Sequence, residues 1–295
     1  MVNRVFVLVL LALLPLAATA AIRLTDDTGR IIVLAAPAAR IVSLAPDLTE
    51  LVYDAGAGRT LVGTVSYSHY PPVARKLPRV GDAFSVDLER LLALRPDLVL
   101  AWAGGTPQFL IERLRALKLP VLVIGTRRLV DIAHNLELIG RATGHERQAQ
   151  AAAQTFLAGL AKLRGEYASR KPLRVFYEIS ATPLYTVGGW QIISRMIELC
   201  GGRNIFGELH ALAAPVSLGA VLARNPQAIV TGSDPGAAVR LKEWHQWPQI
   251  SAVKTGSLFS ISGDLLARAT PRILQGGQRL CEDLHTVRRH LPSTQ

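Results

Sequence analysis

Leu88-Glu89-Arg90-Leu91-Leu92-Ala93-Leu94-Arg95-Pro96-Asp97-Leu98-Val99-Leu100 returns without a gap as Leu218-Gly219-Ala220-Val221-Leu222-Ala223-Arg224-Asn225-Pro226-Gln227-Ala228-Ile229-Val230. Each copy reads as a short helix, a proline that stops it, and an uninterrupted apolar run of strand length. Gly58-Arg59-Thr60-Leu61-Val62-Gly63 is echoed in the same way by Gly202-Arg203-Asn204-Ile205-Phe206-Gly207. The separations are 130 positions (88 to 218) and 144 positions (58 to 202), far longer than the period of a solenoid. They predict two α/β lobes of one kind, and a cleft between two such lobes is a usual place for a ligand.

Outward from the repeat, Arg40-Ile41-Val42-Ser43-Leu44 is a compact apolar run ended by Ala45-Pro46, hence a buried strand and a turn. Asp47 and Thr49 are placed to cap a helix that runs through Tyr53. Strands follow at Leu61 to Ser66, Leu98 to Trp102 and Val121 to Ile124, with a helix from about Pro107 to Leu117 before the last. Strands alternating with short helices predict a parallel, doubly wound sheet in each lobe. From Asp131 to about Tyr167 the chain contains no proline and is rich in good helix formers, with Thr143-Gly144 to bend or break it. It reads as a rigid helical linker that spans both lobes and allows little lobe movement. The second lobe resumes at Arg174-Val175-Phe176-Tyr177 and closes with the strand Ser257 to Ile261 and a helix from about Pro271 to Val287. The expected division is a leader over 1–20, a first lobe over 36–126, the linker over 127–170 and a second lobe over 171–291.

The start, Met1-Val2-Asn3-Arg4, an apolar run from Val5 to Leu16, and Ala18-Thr19-Ala20 together fit a secretory signal cleaved near Ala20. The run falls short of the roughly 20 residues that span a bilayer. The expectation is export to the periplasm as a soluble protein. The two cysteines, Cys200 and Cys281, then suggest one disulfide in an oxidising compartment; a metal pair is the weaker reading, because two thiols so far apart carry no ligand-spacing signature. Lysine and arginine number 33 against 22 acidic residues, a net charge of +11. The basic residues are scattered, without the aromatic interleaving that stacks bases, so nucleic acid is not expected as a partner.

In open parallel sheets ligands gather beyond the carboxyl ends of the strands. The residues found there are Pro46 and Asp47, Tyr67 and Tyr70, Phe84, and Trp102-Ala103-Gly104 in the first lobe. In the second they are Glu178, Tyr185, Thr231-Gly232-Ser233 and the stretch Asp264 to Arg268. The preponderance of aromatic rings in the first set suits a bulky, partly apolar ligand. Trp190, Trp244 and Trp247 are less well placed and read as packing. Catalytic signatures are absent: Gly56-Ala57-Gly58 follows a helix and lacks the strand that a dinucleotide loop requires, and there is no Walker loop, zincin motif or nucleophile elbow. Of seven histidines only His69 falls at a strand end, so a metal site built from several is not expected.

The stretches Arg40 to Glu50, Ser66-Tyr67-Ser68-His69-Tyr70-Pro71-Pro72, Leu88-Glu89 through Trp102-Ala103-Gly104-Gly105, Leu199-Cys200-Gly201-Gly202-Arg203-Asn204-Ile205-Phe206, and Ala269-Thr270-Pro271-Arg272-Ile273 with Leu280-Cys281 follow one another over nearly the whole mature chain. In these the chain resembles the periplasmic cobalamin-binding proteins of vitamin-uptake ABC transporters, a branch of the iron-siderophore, haem and cobalamin binding family. The resemblance implies a monomeric, non-enzymatic carrier that holds a corrinoid between the lobes and delivers it to a membrane permease, without a cofactor or metal of its own. It implies ligand contacts from Tyr67, Tyr70 and Trp102, an approach to the ligand by the loop of Asp264 and Arg268, and a Cys200–Cys281 disulfide. It also implies permease docking through one acidic residue on each lobe. Glu89 matches the first; Gly219 stands at the second, leaving Glu208 as the alternative. Ala83-Phe84 and Ala213-Ala214-Pro215 stand where the branch carries tryptophans. The rival readings are a haem or siderophore carrier with Tyr67 or Tyr70 as an iron ligand, a hydrolase or metal-handling enzyme on the same scaffold, and a surface adhesion module.

Overall fold

The computed structural model describes residues 21–82 and 84–290; the leader, Ala83 and the last five residues lie outside them. The first lobe begins with a hairpin ahead of the expected boundary, β1 (Ile22–Thr25) against β2 (Ile31–Leu34), antiparallel. Its alternation buries Leu24, Ile32 and Leu34 on one side. Next come β3 (Ile41–Ser43), α1 (Pro46–Asp54), β4 (Leu61–Thr64), α2 (Leu88–Ala93), β5 (Leu98–Trp102), α3 (Gln108–Ala116) and β6 (Val121–Ile124). The four strands form one parallel sheet in the order β4-β3-β5-β6. Every residue of β3 and β6 is buried, as a sheet covered on both faces requires.

Two helices follow, α4 (Asp131–Thr143) and α5 (Glu146–Tyr167), and the break falls at Gly144, whose φ of 72° is the left-handed conformation that ends a helix at least strain in glycine. Helix α4 packs on α1 and β1, whereas α5 reaches the helices Ile192–Leu199 and Ile273–His290 of the other lobe. The element that passes between the lobes is therefore α5.

The second lobe comprises β7 (Leu173–Ala181), β8 (Leu184–Val187), α6 (Ile192–Leu199), β9 (Gly202–Asn204), β10 (Ala213–Pro215), α7 (Leu218–Arg224), β11 (Ala228–Gly232), α8 (Ala237–Glu243), α9 (Ser251–Lys254), β12 (Leu258–Ile261), α10 (Gly263–Leu266) and α11 (Ile273–His290). Strands β9, β7, β11 and β12 are parallel, while β8 and β10 add an antiparallel edge to the same sheet.

The two copies of the repeat agree down to their hydrogen bonds. Asp87 caps α2 by accepting from Arg90 N–H, and Ser217 caps α7 by accepting from Ala220 N–H. Arg95 and Asn225, each just before the proline, take positive φ of 46° and 44°. Arg40 donates to the Leu94 and Arg95 carbonyls and Arg174 to that of Asn225, and the Asp97 and Gln227 side chains accept from the backbone N–H of Arg40 and Arg174. These contacts seat each proline turn against the strand beside it.

The cores of the lobes are not separate. One cluster of buried side chains runs from Leu24, Leu48 and Leu136 through Ala149, Ala153, Phe156 and Leu160 of α5 to Met196, Leu280 and Leu284. Two smaller clusters lie apart from it, one around Val42 and Val99, the other around Phe176 and Ile229. The disulfide Cys200–Cys281 joins the end of α6 to α11 with both cysteines fully buried, and no cysteine is free.

Candidate functional site

The loop after β4 carries Tyr67 and Tyr70, and a buried set of hydroxyls holds it. Thr49 and Thr64 Oγ1 lie 2.6 Å apart, Thr49 donates to Ser43 Oγ at 3.0 Å, and Thr64 donates to Ser68 Oγ at 2.8 Å. Ser68 is anchored, so Tyr67 beside it is thrust outward at a positive φ of 64° and is 75% exposed. Thr49 is thus spent on the loop and not on a helix cap; Pro46 opens α1, and the Asp47 carboxylate accepts from Leu48 N–H. Burial pushes the Asp47 carboxyl up to about 6, with Glu50 adding to the rise and Leu48 N–H and Arg268 opposing it. Phe84 is exposed, in a turn where the Asp82 carboxylate accepts from the N–H of residues 84 and 85.

Trp102 ends β5, and its backbone N–H donates to Thr106 Oγ1 at 2.9 Å. Its indole lies flat over the two glycines that follow: a Cβ on Gly104 would stand 2.7 Å from Trp102 Cε2, and one on Gly105 would overlap the six-membered ring. The Trp-x-Gly-Gly pattern therefore fixes the indole as a wall. Ala103, Gly104, Gly125, Thr126 and Arg127 continue that wall, and Trp190 with Ala211, Leu212 and Ala213 faces it from the second lobe across a cavity of about 410 Å³.

Trp190, which the sequence reads as packing, also lines this cavity. It sits in the turn between β8 and α6, 44% exposed, stacked on His210 at 5.7 Å between ring centres. A turn residue escapes a search confined to strand ends, yet Trp190 provides a ring beside the alanines of 211–213. Trp244, by contrast, is packing: it is buried against Phe176 and Trp247, and its indole N–H donates to Glu178 at 2.7 Å. Glu178 is itself buried, with Arg240 at 3.9 Å, and burial holds its carboxyl above the usual carboxylate range. It belongs to a core network within the second lobe.

Asp264 and Arg268 approach the first lobe as a salt-bridged pair, with His69 Nε2 on Asp264 at 3.1 Å and Arg268 donating to the Tyr67 carbonyl at 3.0 Å. Beneath them lies a residue that no strand end marks. Glu50, fully buried on α1, accepts from Arg268 at 2.6 Å, from Arg272 at 3.2 Å and from Thr270 at 3.2 Å. Arg272 also lies over the Tyr70 ring, 3.6 Å from its centre. One buried carboxylate of the first lobe thus organises two cations of the second, and through them the Tyr67–Tyr70 loop.

Glu89 is exposed in the first turn of α2. Glu208 is held by Arg224 at 2.5 Å, at the opposite end of α7 from Gly219, and against the effect of burial its own backbone N–H and that arginine keep its carboxyl below the usual range. Among the described residues no group of three or more His, Cys, Asp or Glu is placed to hold a metal ion, and no helix is long and apolar enough to cross a membrane. Aromatic walls, small residues and guanidinium groups around a cleft serve reception of a bulky ligand by face and edge contacts.

The periplasmic binding protein family matches residues 41–265. The vitamin B12-binding protein of Vibrio cholerae is 37% identical over 246 residues, 83% of this chain and 88% of that one. The vitamin B12-binding protein of Yersinia pestis is 36% identical over 279 residues, 94% of this chain and 96% of that one. Among solved structures, the periplasmic vitamin B12 binding protein of Vibrio cholerae superposes with a TM-score of 0.81 at 36% identity, covering 86% of this chain and 99% of that one. A periplasmic heme-binding protein from Roseiflexus shares the fold at 22% identity, with a TM-score of 0.75 over 84% of this chain and 98% of its own.

Proposed function

The chain belongs to the periplasmic binding protein family, and from that premise we propose that it captures cobalamin or a related corrinoid between its lobes and hands it to an ABC-transporter permease. The observation that carries this reading is the Trp102 indole, pressed onto Gly104-Gly105 and facing Trp190 across the interlobe cavity. A rigid ring on each lobe gives a corrinoid two flat apolar surfaces, while Tyr67 and Tyr70 supply polar contacts for its amide-bearing edge. Pro46, Asp47, Phe84, Asp264 and Arg268 complete the proposed contacts, and the protein acts by binding alone, without a cofactor.

Titration of purified protein with cyanocobalamin and with haemin, followed by absorbance, tests the reading. Saturable binding of the corrinoid supports it; a Soret shift with no corrinoid affinity assigns the protein to haem, with Tyr67 as the exposed phenol able to reach iron.

The site of action is the periplasm, after the leader is removed near Ala20. Docking on the permease is carried by Glu89, the exposed acid of α2; the matching position on α7 is Gly219, and Glu208 is engaged by Arg224. Such a rim charge governs orientation and association rate more than affinity. Glu89→Arg should leave corrinoid binding unchanged and impair uptake in cells; normal uptake refutes the docking role.

A further inference from the structure

Arg127 stands apart from the other cations near the cleft. Arg128 is paired with Asp131 at 2.9 Å and Arg195 with Glu198 at 2.8 Å. The carboxylates of Asp27 and Asp131 accept from the backbone N–H of residues 125, 127 and 128. The Arg127 guanidinium has no carboxylate partner among the described residues. It lies instead over the Trp190 ring, 5.4 Å from its centre, and so crosses from the first lobe to the second. Trp190 is backed on His210, which holds the indole in place beneath the cation. Arg127 and Trp190 line both the cavity of about 410 Å³ that contains Trp102 and an adjoining one of about 1070 Å³. A guanidinium stacked on an aromatic face keeps its edge N–H groups free, and that planar edge matches the paired oxygens of a phosphate or carboxylate.

We infer that Arg127, held by Trp190, is an anion-reading residue that recognises the phosphodiester in the nucleotide tail of a complete corrinoid. The inference rests on the corrinoid reading and goes beyond it, because it selects among corrinoids. Cobalamin carries one phosphate in its tail, whereas the tail-less cobinamide presents only neutral amides around its ring. The site thereby prefers nucleotide-tailed corrinoids over their tail-less precursors. A charge-assisted hydrogen bond in a partly desolvated cleft corresponds to a preference on the order of tenfold to a hundredfold.

The test is a four-way comparison of wild type and Arg127→Gln, each titrated with cyanocobalamin and with dicyanocobinamide at low and at moderate salt. Arg127 is exposed and its guanidinium makes no hydrogen bond to the described residues, so the variant should fold as the parent does, which an unchanged melting curve checks. The expected result is a loss of on the order of tenfold or more for cobalamin, with little change for cobinamide and a weaker salt dependence for the variant. Trp190→Ala should reduce the cobalamin preference while lowering affinity for both ligands, since it removes both a wall and the support for the cation. Equal losses for the two corrinoids in Arg127→Gln, or no loss, overturn the inference and leave the corrinoid reading intact. A wild type that binds neither corrinoid overturns both.

Discussion

Replacing Glu50 strikes the buried ion network that joins the two lobes. Its carboxylate has no exposure, and its partners Arg268 and Arg272 have side chains only 11% and 18% exposed. Removing one member of such a buried pair costs about 3–5 kcal/mol, because the remaining charge is left desolvated. Glu50→Ala strands the Arg272 guanidinium and the Thr270 hydroxyl while Arg268 keeps Asp264 and the Tyr67 carbonyl, and the residual exposure of the arginines allows them to turn partly to water. A loss of about 3 kcal/mol is therefore expected. Glu50→Gln keeps an oxygen that can accept from Thr270 or one arginine and loses only the charge, so about 1–3 kcal/mol is expected. The internal control is His69→Ala: the His69–Asp264 link also crosses the lobes, but both side chains are 39% exposed, and exposed pairs are worth about 0–1 kcal/mol. Urea unfolding followed by circular dichroism measures all three. A loss below about 1 kcal/mol for Glu50→Ala, or one no larger than that of His69→Ala, refutes the argument that Glu50 fastens the lobes. Coupling is checked by the double variant Glu50→Ala with Arg268→Ala, which should be less damaging than the two single losses added together.

Other outcomes follow from the same geometry. Gly105→Ala places a Cβ in the volume of the Trp102 ring and must displace it, so corrinoid affinity should fall by about 1–3 kcal/mol, as in Trp102→Ala; an unchanged affinity in calorimetry removes the indole from the site. Reduction of Cys200–Cys281, or replacement of both by Ser, opens a loop of 81 residues and should cost about 4 kcal/mol in the chain-entropy account; equal urea midpoints with and without reductant contradict it. Asp54 is pushed up to about 6 chiefly by burial, and its Oδ2 has no hydrogen-bond partner among the described residues. A carboxyl raised in the fold favours the native state below its unfolded pKa of about 3.9, and that contribution is lost as pH rises through about 6. Asp54→Asn should therefore gain stability relative to the parent between about pH 4 and pH 7, by up to about 3 kcal/mol; a pH-independent difference speaks against the shift.

The parts of the fold that the sequence displayed are those in which one physical cause acts locally. The strand Leu98 to Trp102 is bounded as read, since Pro96 ends the preceding helix and Gly104 ends the apolar run. The repeat was legible because Asp87 and Ser217, and then Pro96 and Pro226, impose the same stop and start at the same spacing. The β1–β2 hairpin was missed because its strands have only four residues each and its burial alternates with exposed Arg23, Ile31 and Val33. The cavity wall at Trp102 is marked by its place at a strand end, whereas Trp190 sits in a turn and meets Arg127 only through the packing of two lobes. Glu50 was visible as part of a motif, but its partners lie 218 and 222 positions away, and no local pattern encodes such a pairing.

The buried path through α5 bears on how far the lobes can move. Because Phe156 and Leu160 belong to the same core as Leu48 and Leu284, swinging the lobes apart would tear a dry interior and not merely bend a tether. The distance between Trp102 on one wall and Trp190 on the other is accordingly built into the interior of the fold, so a substitution at Phe156 or Leu160, remote from either ring, can change the width of the cleft.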